Sequence, residues 1–151
     1  MQSLAARKYK SGRLEGKELM DMQAQSSISN QRLVRVLIVD DMPQVRQELS
    51  LLLHLCGEIE VVGQAANGQE AIELAAALRP DVVLMDLEMP GLDGYQAAHQ
   101  IKAGQPACRV IAYSVYSYSV ARQKAWLAGM DDFIEKGAPL SQILQALKGK
   151  N

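Results

Sequence analysis

Three carboxylates, a lysine and a hydroxyl in this chain each lie at the end of an apolar run. Asp86 ends Val82-Val83-Leu84-Met85, and the paired acids Asp40-Asp41 end Val36-Leu37-Ile38-Val39. Ser114 ends Val110-Ile111-Ala112-Tyr113, and Phe133-Ile134 leads to Lys136. Acids gathered within a few ångströms raise one another's pKa, so such a cluster holds protons or binds a cation. All-oxygen ligands favour a hard ion, and an exposed, partly hydrated site suits Mg²⁺ better than a caged Ca²⁺. In that reading Asp41 and Asp86 ligate directly, Asp40 acts through water, and Glu88 lends its backbone carbonyl. Lys136 and Ser114 then supply the mobile charge and short hydroxyl that phosphoryl oxygens need. Nucleophile, metal, cation and hydroxyl together make a site for phosphoryl transfer onto Asp86.

These residues meet only if the apolar runs are parallel strands of one sheet. From Leu33 onward, strands and helices alternate in sequence. Strand Val34–Val39 is followed by a helix from Pro43 to Leu55, with Pro43 at the first turn, where its missing N–H does no harm. Strand Glu60–Gly63, a helix opening at Asn67-Gly68 and running to Leu78, and strand Val82–Met85 come next. Helix Tyr95–Ala103, strand Arg109–Tyr113, helix Ser119–Ala128, strand Asp132–Glu135 and helix Leu140–Lys148 complete the series. Continuous Val, Ile and Leu in the first, third and fourth strands mark them as buried on both faces. Right-handed crossovers make this an α/β fold, a doubly wound (βα)₅ parallel sheet whose chemistry lies beyond the strand ends. Helical spacing assigns Val45, Leu49, Leu52, Leu53, Ile143, Leu144 and Leu147 to the core.

The 16 Lys+Arg against 17 Asp+Glu argue against a broad nucleic-acid-binding face. Cys56 and Cys108 show no metal-ligand spacing and are expected as ordinary buried thiols, which fits a reducing compartment. No apolar run approaches the roughly 20 residues of a membrane span, so the expectation is a cytoplasmic protein without membrane contact. Residues 1–32 read as an N-terminal extension, flexible or carrying a short helix around Leu14 to Met22. Residues 33–151 form the domain. His54 and His99 fall on helices away from the strand ends and read as structural or solvated.

From about Leu33 to Lys148 the sequence resembles a response-regulator receiver domain of two-component signalling. The resemblance rests on Val39-Asp40-Asp41, on Arg79-Pro80-Asp81 through Asp86-Leu87-Glu88-Met89-Pro90-Gly91-Leu92-Asp93-Gly94, on Ser114, and on Ala128-Gly129 ahead of Phe133-Ile134-Glu135-Lys136. Val61-Val62-Gly63 through Asn67-Gly68 and Lys136-Gly137-Ala138-Pro139-Leu140 resemble the LuxR/NarL-type subgroup most, in which a helix-turn-helix domain normally follows. The resemblance implies a flavodoxin-like fold with strand order 2-1-3-4-5. It also implies Mg²⁺-dependent phosphorylation of Asp86 by a phosphohistidine of a sensor histidine kinase or histidine phosphotransfer protein. Ser114 maps to the switch hydroxyl, Phe133 to the switch aromatic and Lys136 to the basic residue. Gly137 stands where many members carry proline, and serine replaces the commoner threonine at the switch.

Glu88 and Tyr116 are expected to bracket the site entrance and tune phosphoryl lifetime. Leu127, with Arg122 and Lys124, marks an output surface formed by the fourth helix, fifth strand and fifth helix, and pairing into a homodimer is one use of such a surface. Trp126 falls where the family usually places a buried aliphatic residue and is expected in the core. The chain ends directly after its last helix, so no DNA-binding domain is expected in it. It is then either a stand-alone receiver or the receiver part of a longer transcription regulator. A phosphatase with an aspartyl nucleophile is the enzyme alternative, with Glu88 as its second acid; otherwise the protein is a switch rather than an enzyme.

Overall fold

The computed structural model describes residues 32–116 and 118–149. Apart from Arg32, the expected N-terminal extension and its helix around Leu14 to Met22 lie outside the described residues. Ten elements alternate: β1 Val34–Val39, α1 Pro43–Leu55, β2 Ile59–Ala65, α2 Gly68–Leu78, β3 Val82–Met85, α3 Gly94–Gly104, β4 Arg109–Ser114, α4 Ser119–Leu127, β5 Asp132–Glu135 and α5 Leu140–Lys148. The five strands pair in parallel in the order β2-β1-β3-β4-β5. This is the flavodoxin-like arrangement expected from the sequence.

Two apolar clusters line the two faces of the sheet. Leu37, Val39, Val83, Met85, Val110 and Ala112 pack against α2 and α3, while Val36, Ile38, Leu84, Ile111 and Ile134 pack against α1 and α5. Successive residues of β1, β3 and β4 therefore point to opposite covered faces, which is why these runs are apolar without alternation. At the N-terminal edge of the sheet, arginines cap helices that end there. Arg35 donates to the carbonyls of Leu78 and Arg79, and Arg109 to those of Ala146 and Leu147. Cations thus meet the orphan carbonyls and negative dipole ends of α2 and α5, while the acids gather at the opposite edge.

Four expectations change. β2 extends beyond Glu60–Gly63 at both ends. Its pairing with β1 slips between Val36 and Leu37, and Gly63 and Gln64 continue the strand past that irregularity. Leu52 is 45 % exposed because α1 turns only Leu49 and Leu53 fully inward. Cys56 is half-buried at the end of α1, where Sγ approaches the Leu52 carbonyl, whereas Cys108 is buried as expected. Trp126 is 75 % exposed: α4 buries Ala121 and Ala125, and the indole projects from a different face.

Candidate functional site

The parallel ladder runs one residue beyond the strands and so fixes the acids side by side. The Asp40 N–H donates to Ala65 O, and the Asp86 N–H donates to Val39 O. Asp86 thereby starts its loop beside the end of β1. That loop is pinned in turn by α3, whose Gly94 N–H donates to Leu87 O. A Cβ at Gly94 would fall 2.2 Å from the Asp86 carbonyl oxygen and 2.8 Å from Leu87 Cα, so only glycine lets the helix start this close to the acid. Asp93 caps α3 by accepting from the Gln96 N–H.

The carboxylate oxygens of Asp40, Asp41 and Asp86 lie within 4.8 Å of one another. Asp40 is buried, with one oxygen accepting the Met42 N–H at 2.9 Å and the other accepting Lys136 Nζ at 2.6 Å. Its backbone carbonyl accepts from the Arg46 guanidinium at 2.6 Å. Asp86 is 6 % exposed, and its carboxylate sits 3.5 Å from the same ammonium. Asp41 alone of the three faces solvent. The donor set is all oxygen, convergent and open to water on the Asp41 side, so it fits a hydrated Mg²⁺.

Burial is the main influence on Asp86, and the neighbouring Asp40 charge reinforces it. Together they raise its carboxyl from 3.8 to about 6, against opposition from Lys136 and the Glu88 N–H. Burial alone would lower the Lys136 ammonium. Its hydrogen bond to Asp40 and the charges of Asp86 and Asp40 outweigh that and hold it above its ordinary value. Lys136 Nζ also lies 5.7 Å from the centre of the buried Tyr113 ring, which forms the floor beneath it. Beyond Lys136 the backbone turns through Gly137 at φ +95°, a conformation closed to proline.

Ser114 ends β4 with 1 % exposure, and its hydroxyl accepts the Tyr116 N–H at 3.0 Å. Its carbonyl accepts the Lys136 N–H at 2.8 Å, which ties the hydroxyl strand to the cation strand. Phe133 is half-buried on β5 opposite Ala112, with the Arg122 guanidinium 4.5 Å over its ring. Glu88 is exposed and lies outside the acid cluster; its charge acts on Tyr95. Tyr116 is 40 % exposed, and its ring lies 5.9 Å from that of Tyr118. Arg122, Lys124 and Leu127 are exposed on α4.

Sequence reasoning found the acids, the lysine and the serine, and these come together. It missed Arg46 and Tyr113. Arg46 lies on α1 six residues after Asp40 and acts through a backbone carbonyl, which leaves little trace in residue type. Tyr113 immediately precedes Ser114 and read only as the end of an apolar run. Among the described residues, no buried side-chain nitrogen or oxygen lacks a hydrogen-bond partner. No helix among them is long and apolar enough to cross a membrane.

Comparison with known proteins gives one consistent result. The family described as response regulator receiver domain matches residues 36–148. The chain is 36 % identical over 116 residues to the response regulator GacA of Pseudomonas viridiflava, covering 77 % of this chain and 54 % of that protein. It is 33 % identical over 120 residues to the nitrate/nitrite response regulator NarL of Escherichia coli K12, covering 80 % and 56 %. The chain therefore spans about half the length of these curated relatives. A protein-glutamate methylesterase/protein-glutamine glutaminase of Alkalilimnicola ehrlichii is 46 % identical over 105 residues, but these make up only 27 % of that enzyme. Among solved structures, the signal receiver domain of a NarL from Mycobacterium tuberculosis superposes with TM-score 0.73 at 33 % identity, covering 80 % of this chain and 100 % of that one.

Proposed function

This chain belongs to the response regulator receiver domain family, and from that premise we propose that Asp86 accepts a phosphoryl group and so switches a protein-contact surface. The donor is a phosphohistidine on a sensor histidine kinase or phosphotransfer protein. One observation carries the assignment of the site. Among the described residues the fold buries three polar or charged residues, Asp40, Asp86 and Ser114, and all three sit at one end of the sheet. Burying such groups is unfavourable unless they are partnered, so their gathering at one edge points to function.

In the proposed reaction a carboxylate oxygen of Asp86 attacks phosphorus and the P–N bond breaks, so that the ring, protonated beforehand on its other nitrogen, leaves as neutral imidazole. Asp40, Asp41, Asp86 and the Glu88 carbonyl would hold Mg²⁺, which neutralises charge on the incoming phosphoryl oxygens. Lys136 already lies within reach of Asp86 and shifts from a carboxylate partner to a phosphoryl partner. Ser114 donates its proton to a phosphoryl oxygen, and its tie to Tyr116 carries the loop with it. Phe133 follows inward and the α4–β5 surface bearing Arg122, Lys124 and Leu127 changes. Glu88 and Tyr116, both exposed near the entrance, govern water access and hence phosphoryl lifetime. Residues 33–151 are the receiver and 1–32 an extension, working in the cytoplasm.

The test is intact-mass measurement after incubation with Mg²⁺ and a small-molecule phosphodonor such as acetyl phosphate. A single phosphoryl adduct on wild type, lost in Asp86→Asn and labile to base, is expected. An adduct that survives in Asp86→Asn overturns the assignment. Ser114→Ala should keep the adduct and lose its effect on partner binding or dimerisation; if that effect persists, the switch does not run through Ser114.

A further inference from the structure

The contact between Arg122 and Phe133 has no part in the chemistry at Asp86, yet it connects the two pieces that must part when the surface changes. Arg122 lies on α4 and Phe133 on β5, with the guanidinium 4.5 Å from the ring centre. Phe133 belongs to the same face of the sheet as Ala112, its partner in β4, and Ser114 stands two residues further along on that face. Both neighbours are small, so a shift of the ring along β4 toward the hydroxyl meets no bulky side chain on that strand. The guanidinium over its outer side opposes that movement.

α4 is also lightly anchored. Its buried residues are Ala121 and Ala125, so a shift of the helix loses little apolar burial. The Ser114 hydroxyl accepts the Tyr116 N–H, and α4 begins only three residues further on, at Ser119. One turn beyond Arg122, Trp126 shares with it and with Phe133 the lining of a cleft of about 210 Å³. It is the only tryptophan in the chain.

We propose that Arg122 is a resting-state latch: stacked on Phe133, it holds the aromatic outward and raises the cost of activation at Asp86. This rests on the switch described above and specifies how that switch is restrained. Linkage gives the latch a signature at a distance. A contact present only in the resting state must weaken binding of any group that favours the other state, by the same factor that it biases the equilibrium. Removing a cation–π contact at an exposed site should therefore tighten such binding about two- to fivefold.

The probe is beryllofluoride with Mg²⁺, a stand-in for the phosphoryl group on Asp86. Its affinity is measured by calorimetry, and Trp126 emission reports the cleft. Arg122→Gln should bind about two- to fivefold more tightly than wild type, and Arg122→Lys, which keeps a cation over the ring, should stay near wild type. In a Phe133→Leu background, Arg122→Gln should change nothing, which separates the latch from any other contact of Arg122. Equal or weaker binding by Arg122→Gln overturns the latch, as does an effect that persists without the ring. Failure of the underlying reading looks different: wild type then shows no Mg²⁺-dependent beryllofluoride binding, and the latch falls with it.

Discussion

The acid edge beside β1 and β3 and the face made by α4 and β5 are built from opposite materials. At the edge, Asp40 and Asp86 are 1 % and 6 % exposed, and each is held by the ladder, by Lys136 and by further backbone donors. On the α4 face, Trp126 and Leu127 are each 75 % exposed. The helices differ in the same sense. α1 buries Leu49 and Leu53 and α5 buries Ile143 and Leu147, where α4 buries two alanines. A fully buried leucine or isoleucine contributes roughly 1.5–3 kcal/mol and an alanine far less. α2 also buries only Gly68, Ala71 and Ala75 fully, but its Ile72 and Leu74 pack partly on the core, a support that α4 lacks. Chemistry needs fixed geometry, whereas signalling needs an element that moves at small cost. The fold places the two demands in different regions, and the switch proposed above would join them through Ser114.

The strongest way to break this contrast is to loosen the tight side. Lys136→Met removes the ammonium from Asp40 at 2.6 Å and Asp86 at 3.5 Å and leaves two largely buried acids facing each other. The expected loss is about 3–4 kcal/mol of unfolding free energy without Mg²⁺, measured by urea denaturation at neutral pH. Saturating Mg²⁺ should recover part of it, since a second cation can take over the charge that lysine supplied. A loss below about 1 kcal/mol, insensitive to Mg²⁺, would mean that the edge is not the strained, compensated cluster its burial implies.

A smaller perturbation at the same edge has a pH signature. Below pH 3.8 Asp86 is protonated in both folded and unfolded chains, and it costs nothing. Between 3.8 and about 6 the folded protein retains a proton that the unfolded chain releases, so stability falls as pH rises. Above about 6 the whole cost is in place. Asp86→Asn should therefore stabilise the metal-free protein by about 2–3 kcal/mol at pH 7, with the gain shrinking toward zero near pH 4. Parallel thermal melts of the two proteins across that range would show it, and a gain independent of pH would place the acid in a better-solvated setting.

The tight side was also the legible side. Acids, lysine and serine at the ends of apolar runs follow directly from strand geometry, because a parallel sheet brings its C-terminal ends together whatever the loops do. Trp126 was not legible in the same way. Size and hydrophobicity argue for burial, but direction on a nine-residue helix depends on which face meets the sheet, and Ala121 and Ala125 set that face. Leu52 was misread for a related reason: Leu49 and Leu53 lie four apart and share a face, and Leu52 sits beside them at its margin. Arg46 was invisible because its partner is a backbone carbonyl. Side-chain type reveals chemistry well and orientation poorly.

The gentlest test concerns the loose side. If Trp126 and Leu127 stand in solvent, replacing both by alanine should change stability by less than about 0.5 kcal/mol, as surface substitutions do. Loss above about 2 kcal/mol would mean that the indole is packed in solution and that α4 is anchored after all. A near-silent result in urea acquires meaning when paired with the phosphoryl analogue. Two large apolar side chains held at 75 % exposure contribute little to folding, and the proposed output surface would give them a use in what they meet. The double variant should bind beryllofluoride as wild type does and yet lose the partner contact or self-association that wild type gains on binding it. That pairing, intact chemistry with absent output, is the consequence of separating a rigid site from a loosely held helix.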